Sequence, residues 1–397
     1  MFAAALGVAA CSATGQPAGG AAKAAAAHSA GAAESGGSAA LPRLAPVTIS
    51  AVGDTMLGDT PDLPPDPEGY FGAVRRELSL GAQIVFGNLE GTLTTAAAGK
   101  CGPVHDRRGE CFAFRDPPRY VRYLKQAGFT VLNDANNHSF DFGAAGQAQT
   151  VRTIRAAGLA QTGLPGEITR VRAHGVRVAL VAFAPYADTA SLLDLPAARA
   201  LIKRAARQAS VVVAGMPAGA EGAAADHVTG HEEHYLGEDR GNPEAVARLA
   251  IGAGARPVIA SGPRVLREMQ SCRHHLIADS LADLAMHHGY AASGTLGRTV
   301  ILRVPLPATG AVGHARSYPV QFTAQGQPVP AEAPSPWCPS CRHQTSAPPQ
   351  PTSRPPASSP RPDPAAASKA PQPPGKTADS APEDCQVQAS RTALHPA

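Results

Sequence analysis

The sequence predicts an α/β fold: one layered domain over residues 46–323, flanked by two segments unable to build a packed core. Short β-branched and apolar runs alternate with helical stretches along that span, and the early runs each stop at polar residues. Composition also changes sharply at both ends. Residues 12–45 are dominated by Ala, Gly and Ser, and 18 of the 38 prolines lie from Pro328 onward.

The first strand is expected at 47–52, where β-rich sequence meets Gly53-Asp54. A helical pattern covers 70–80, followed by a short buried strand at 83–86. Pro117-Pro118 opens a helix through Ala127, because proline is tolerated in a first turn. Gly128 closes it and a strand follows at 129–132. Residues 144–157 read as helix ended by Gly158. Segments 168–172 and 177–183 read as a hairpin turning at His174-Gly175. Helices at 197–208 and 243–254 are each followed by a strand, at 210–213 and 257–260. Further strands are expected at 275–279, 299–304 and 317–322.

The ends have a different character. Residues 1–11 are small and apolar and finish in Val8-Ala9-Ala10-Cys11, a pattern that resembles a bacterial lipobox with Cys11 as the lipidated residue. This predicts export, with the chain lipid-anchored at the cell membrane or extracellular, and 12–45 as a flexible tether. Residues 324–397 read as a Pro-rich disordered tail. No apolar run approaches the roughly 18 residues that span a bilayer. The net charge of +4 and the lack of a basic stripe interleaved with aromatics exclude nucleic acid as a partner. Cys101 and Cys111 flank a short polar loop and could close it as a disulfide in an oxidising compartment. Trp337-Cys338-Pro339-Ser340-Cys341 has the form of a thiol-redox motif but sits in Pro-rich sequence, so redox chemistry through Cys338 and Cys341 is a remote alternative.

Polar residues gather where the early strands stop: Asp54 after the first, Asn88 and Glu90 after the second, Asn137 and His138 after the third. In open α/β sheets that edge binds ligands. Asp, Glu, Asn and His supply oxygen and imidazole donors for divalent ions such as Mn, Fe or Zn. The loop 227–234 adds His227, His231 and His234; a shared helix face at i, i+3 and a solvated loop are both open there. The adjacent pairs His274-His275 and His287-His288 are weaker candidates.

The ordered set resembles the CapA-type poly-γ-glutamate capsule biosynthesis family, within the calcineurin-like metallophosphatase superfamily. The matching runs are AVGDTMLG (51–58), GNLEGTLT (87–94), AFRDPP (113–118), ANNHSFDFG (135–143), GAEG (219–222), VIASGPRVL (258–266) and LIADSLADL (276–284). The resemblance implies a four-layer α-β-β-α sandwich with a two-metal site at the strand-end edge. It makes Asp54, Glu90 and Asn137 metal ligands, Asn88 their support and His138 the proton donor to a leaving oxygen. The later half departs from the family. Pro217, Ser261 and Arg264 stand where the resemblance implies imidazoles, and the run from Ser280 to Leu284 is altered. These changes predict a weakened or lost metal site in which Arg264 and Ser261 bind an anion. The expected function is binding or assembly of an anionic surface polymer, or of a phosphate-bearing ligand, in capsule production, with hydrolysis impaired. An active metal-dependent hydrolase is the alternative.

Overall fold

The computed structural model describes residues 44–102, 111–272, 274–287, 293–331 and 386–388. Cys11, the lipobox-like segment and nearly all of the tether lie outside the described residues. So do Cys338, Cys341 and all of the tail between 332 and 385.

Strands Val47–Met56 and Ile84–Leu89 are buried along almost their whole length, the state of strands covered on both faces. They form the middle of the first sheet. Its order is Pro328–Pro330, Arg316–Phe322, Arg298–Leu306, Val47–Met56, Ile84–Leu89, Val131–Asn133 and Ala160–Thr162. Asp283–Met286 pairs in parallel with the last residues of Val47–Met56. The second sheet runs Gln386–Gln388, Met269–Cys272, His275–Ala278, Pro257–Ser261, Val211–Pro217, Val176–Ala182 and Thr169–Ala173.

Three apolar clusters stack these sheets. Ile49, Ile84 and Val131 of the first sheet pack against Val178, Val213 and Ile259 of the second. On the outer face of the first sheet, Val52, Val85 and Leu132 lie in one cluster with Leu78, Leu124 and Ile154 of helices Arg75–Ser79, Val121–Ala127 and Gly143–Ala156. On the outer face of the second, Val181, Val212 and Val258 meet Leu201, Ile202, Val246 and Ala250 of helices Leu195–Ala206 and Pro243–Ala253. Helix, sheet, sheet, helix is the four-layer α-β-β-α sandwich expected from the sequence.

Local chemistry explains the helix ends. Asp194 and Asn242 each accept a backbone N–H three residues on, with proline in the first turn, so two otherwise unpaired donors are satisfied. His174 and Gly175 both take positive φ, as a two-residue hairpin turn requires.

Some expectations need correction. The helix at 70–80 shortens to Arg75–Ser79, because Tyr70 and Phe71 enter the core from a turn, with the Tyr70 hydroxyl donating to the Gly326 carbonyl. The domain boundary at 323 is too early, since Pro328–Pro330 extends the first sheet. Proline is tolerated there because the strand is at an edge. Gln386–Gln388 pairs with Met269–Cys272, so this part of the expected tail is a sheet strand.

Where Val47–Met56 nears its end, the chain at Leu281-Ala282 crosses directly over Gly53. A Cβ on Gly53 would lie 1.7 Å from the Ala282 carbonyl oxygen. That backbone contact cannot yield as a flexible side chain could. Gly53→Ala is therefore expected to cost about 3 kcal/mol of unfolding free energy in urea. Gly252, in the helix Pro243–Ala253, has nothing within 4 Å of the point where a Cβ would stand. It is the control: Gly252→Ala should gain roughly 0.5–1 kcal/mol.

Candidate functional site

The parallel register aligns three strand ends. Asp54 lies opposite Asn88, and Asn88 opposite Asn133. Their side chains join across this row. The Asn88 amide nitrogen donates to Asp54 Oδ1 at 2.6 Å and to Glu90 Oε2 at 3.0 Å. Its oxygen accepts from the Asn133 amide at 2.8 Å and from the Asn136 amide at 3.1 Å. Two donors and two acceptor sites make a fully used carboxamide.

His138 extends the network on one side. Its Nε2 lies 3.5 Å from Glu90 Oε1, and its Nδ1 lies 2.8 Å from Asp141 Oδ2. Asp141 is fully buried; it accepts from the Phe114 N–H at 2.6 Å and pairs with Lys100 Nζ at 2.7 Å. The Phe114 ring lies against the imidazole, with centroids 4.3 Å apart. A carboxylate on Nδ1 fixes the ring and leaves Nε2 facing the site. Lys100 also donates to the Asn137 carbonyl at 3.0 Å and directly precedes Cys101, which is disulfide-bonded to Cys111.

On the other side the network reaches the second sheet. The Gly262 N–H donates to Asp54 Oδ2 at 3.0 Å, and the Ser261 side chain bonds the same carboxylate. Ser261 pairs with Pro217 across the neighbouring strands. Arg264, whose backbone is left-handed at φ 63°, places Nε 3.4 Å from Asp283 Oδ2. Asp283 is itself the register partner of Asp54.

The electrostatics follow from crowding acids in a dry pocket. Burial raises the Asp54 pKa, against the hydrogen bonds from Ser261, Asn88 and Gly262. Glu90 is raised well above the usual carboxylate range by burial and by the charges of Asp54 and Glu221. Burial pushes Asp283 to about 8, although Arg264 pulls the other way. Burial alone would lower Arg264, but Asp283, Glu221, Glu90 and Asp54 outweigh it and hold the guanidinium charged.

The sequence matches the family described as bacterial capsule synthesis protein PGA_cap over residues 48–288, more than half of the chain. The chain belongs to this family. The capsule biosynthesis protein CapA of Bacillus anthracis is 28% identical over 190 residues, 43% of this chain and 43% of that protein. The PGA biosynthesis protein CapA of Bacillus subtilis (strain 168) is 26% identical over 187 residues, covering 43% of this chain and 46% of that one. The matched region thus spans less than half the length of either relative. Among solved structures, a 5'-nucleotidase precursor from Thermus thermophilus is similar at 11% identity and a TM-score of 0.40, over 72% of this chain and 56% of that one. At that level the likeness adds nothing to the fold described above.

In this PGA_cap chain, Asp54, Asn88, Glu90, His138, Ser261 and Arg264 converge. Asn137 is half-buried and adjacent, and among the described contacts it enters through its carbonyl. The asparagine tied into the network is its neighbour Asn136, which also bonds the Leu89 carbonyl and the His138 N–H. Arg264, expected from sequence to bind an anion with Ser261, lies 3.4 Å from Asp283 and feels the charges of Glu221, Glu90 and Asp54, while Glu221 is itself paired with Arg240 at 2.9 Å. The loop 227–234 is not helical; His231 and His234 are exposed. Its buried member is Glu233, locked by Arg267 at 2.7 and 3.2 Å. His274 is exposed, and His275 is bonded to Arg256. His287 packs near Tyr70, while His288 lies outside the described residues. Sequence reasoning placed Asn136 and Asp141 in the polar run after the third strand without a specific role, and gave none to Lys100, Asn133, Glu221 or Asp283. Asp141, three residues past His138 in a turn, was findable by spacing; Asp283 depends on a strand register that no local pattern encodes.

The donors present do not fit a pair of transition-metal ions. Zinc and iron favour nitrogen ligands, and the site offers one imidazole, with Nδ1 held by Asp141 and Nε2 facing Glu90. A proline and a serine occupy two expected histidine positions, and a guanidinium sits among the acids.

Asp283 sets a pH dependence. Its carboxyl rises from 3.8 to about 8 in the fold, so the native state binds more protons than the unfolded chain between those values. Stability must then fall as pH rises through that window. Urea midpoints in chelator should drop from about pH 5 to about pH 8.5, and Asp283→Asn should flatten the slope.

Proposed function

We propose that this chain serves capsule biosynthesis as a polymer-binding or assembly protein and not as a two-metal hydrolase. The observation that carries this is the Arg264 guanidinium seated among Asp54, Glu90, Glu221 and Asp283. A fixed positive charge there opposes the paired cations that metal-assisted hydrolysis needs. Family membership supports the capsule role, and the names of the two CapA relatives agree with it. In this reading the polymer is anionic and of the poly-γ-glutamate type. It meets the protein outside the acid pocket, because Asp54 and Glu90 are buried there. Export with a lipid anchor at Cys11 would hold the domain at the cell surface, where such a polymer is made. Among the described residues, no helix is long and apolar enough to cross a membrane.

One observation favours the rival reading of an active hydrolase. The His138–Asp141 pair is intact, with Nε2 directed at Glu90, so a proton could still be delivered to a leaving oxygen. Were divalent ions bound, Asp54, Glu90 and Asn137 would be the residues to hold them, and the ions would supply an activated water nucleophile.

Metal analysis and turnover separate the two. Protein purified without chelator and desalted should carry less than one tightly held ion per chain. It should not shorten poly-γ-glutamate or turn over a phosphoester when Mn is added, while retaining the polymer on a column. Two retained ions with rapid turnover would establish the hydrolase instead. Loss of surface polymer on deleting the gene, restored by a His138→Ala copy, is the expected result in cells; a wild-type capsule after deletion would refute the biosynthetic role.

A further inference from the structure

We propose that Arg264 is the resident cation of this pocket: its guanidinium, 3.4 Å from Asp283 and beside the linked acids Asp54 and Glu90, supplies the positive charge there and so keeps a divalent ion out. This deepens the non-hydrolytic reading above and rests on it.

The acids are close neighbours. Asp54 and Asp283 are register partners on adjacent parallel strands, and one Asn88 amide nitrogen bridges Asp54 to Glu90. Asp283 is nearly fully buried. One oxygen faces Arg264 Nε at 3.4 Å, and the other, Oδ1, has no hydrogen-bond partner among the described residues. A buried carboxylate oxygen without a donor is costly, and its survival points to a counter-charge as the group that makes the cluster tolerable.

Arg264 is built to supply it. Its left-handed φ of 63° is uncommon for a side-chain-bearing residue, and the preceding Gly262 and Pro263 turn the chain so that the residue leaves the Pro257–Ser261 strand beside Asp54. The side chain is largely covered, and all four acids act on its charge. Guanidinium stays charged at any physiological pH. A histidine at the same position would be a metal ligand when neutral; an arginine cannot ligate and repels the ion.

Removing the guanidinium should therefore create metal affinity. The full-length wild-type chain and the variants Arg264→Ala, Arg264→Gln and Arg264→Lys would be stripped with chelator and titrated with Mn and Mg by calorimetry, with melting curves at each concentration. Arg264→Ala and Arg264→Gln should bind at least about tenfold more tightly than wild type and melt higher with metal. Arg264→Lys, which keeps the charge, should behave as wild type. Adding Asp283→Asn to Arg264→Ala should abolish the gain. If a neutral variant folds only with metal present, that metal-dependent folding is itself the gain, read by circular dichroism. Neutral variants that are folded in chelator and indifferent to metal overturn the proposal, as does wild type binding as tightly as Arg264→Ala. Polymer retention by the same samples reports separately on the capsule reading: variants without metal gain but with retained polymer sink only the resident-cation proposal.

Discussion

Asn88 is the joint on which the pocket hangs. Its carboxamide nitrogen holds Asp54 and Glu90 side by side, and its oxygen receives Asn133 and Asn136. All of this depends on the parallel register that sets Asp54, Asn88 and Asn133 in one row across adjacent strands. A slip of one residue would turn Asn88 to the opposite face of the sheet and leave buried carboxylates without donors. The site is thus a consequence of sheet register as much as of residue identity, and the apolar packing between the two sheets enforces that register.

The layered α/β class and the early half of the site were legible in sequence because both are written locally, whereas the four-layer sandwich came from the family resemblance. Apolar runs that end abruptly in Asp54, in Asn88 and Glu90, and in His138 show strand ends and their polar edge together. The later half is written in tertiary contacts. Asp283 matters because its strand lies against the end of Val47–Met56, and Arg264 because a left-handed turn aims it at that residue. Neither fact has a periodic signature. The same limit explains Asn136: two adjacent asparagines look alike in sequence, and only the turn decides which amide faces Asn88. The helix expected at 70–80 failed for a related reason, since Tyr70 and Phe71 are core residues whose burial does not need helical backbone.

The pocket combines two halves with different chemistry. On the first sheet, Lys100, Asp141, His138 and Glu90 form a continuous hydrogen-bonded and ionic series suited to holding and moving a proton. Where the second sheet meets it, the Arg264 guanidinium lies 3.4 Å from Asp283. An ion exchanges with solvent and can polarise a bound oxygen; a guanidinium does neither, although it balances charge equally well. Under the proposed reading, a guanidinium standing for an ion would keep the acids of the fold in place while removing the Lewis acid.

Backbone strain collects at the seam where Arg264 meets the first sheet. Arg264 and Ala282 both adopt positive φ, and Ala282 presses its carbonyl onto Gly53 while accepting the Asp54 N–H at 3.0 Å. Non-glycine residues in that region cost of order 1 kcal/mol each and persist only where surrounding structure over-determines them. Here the surroundings are the acids themselves. Asp54 and Asp283 lie opposite one another on adjacent strands, and Arg264 acts on both. The left-handed turn that carries Arg264 sets its guanidinium 3.4 Å from Asp283, whose strand lies against Val47–Met56, so a charged contact joins the second sheet to the strand ends of the first.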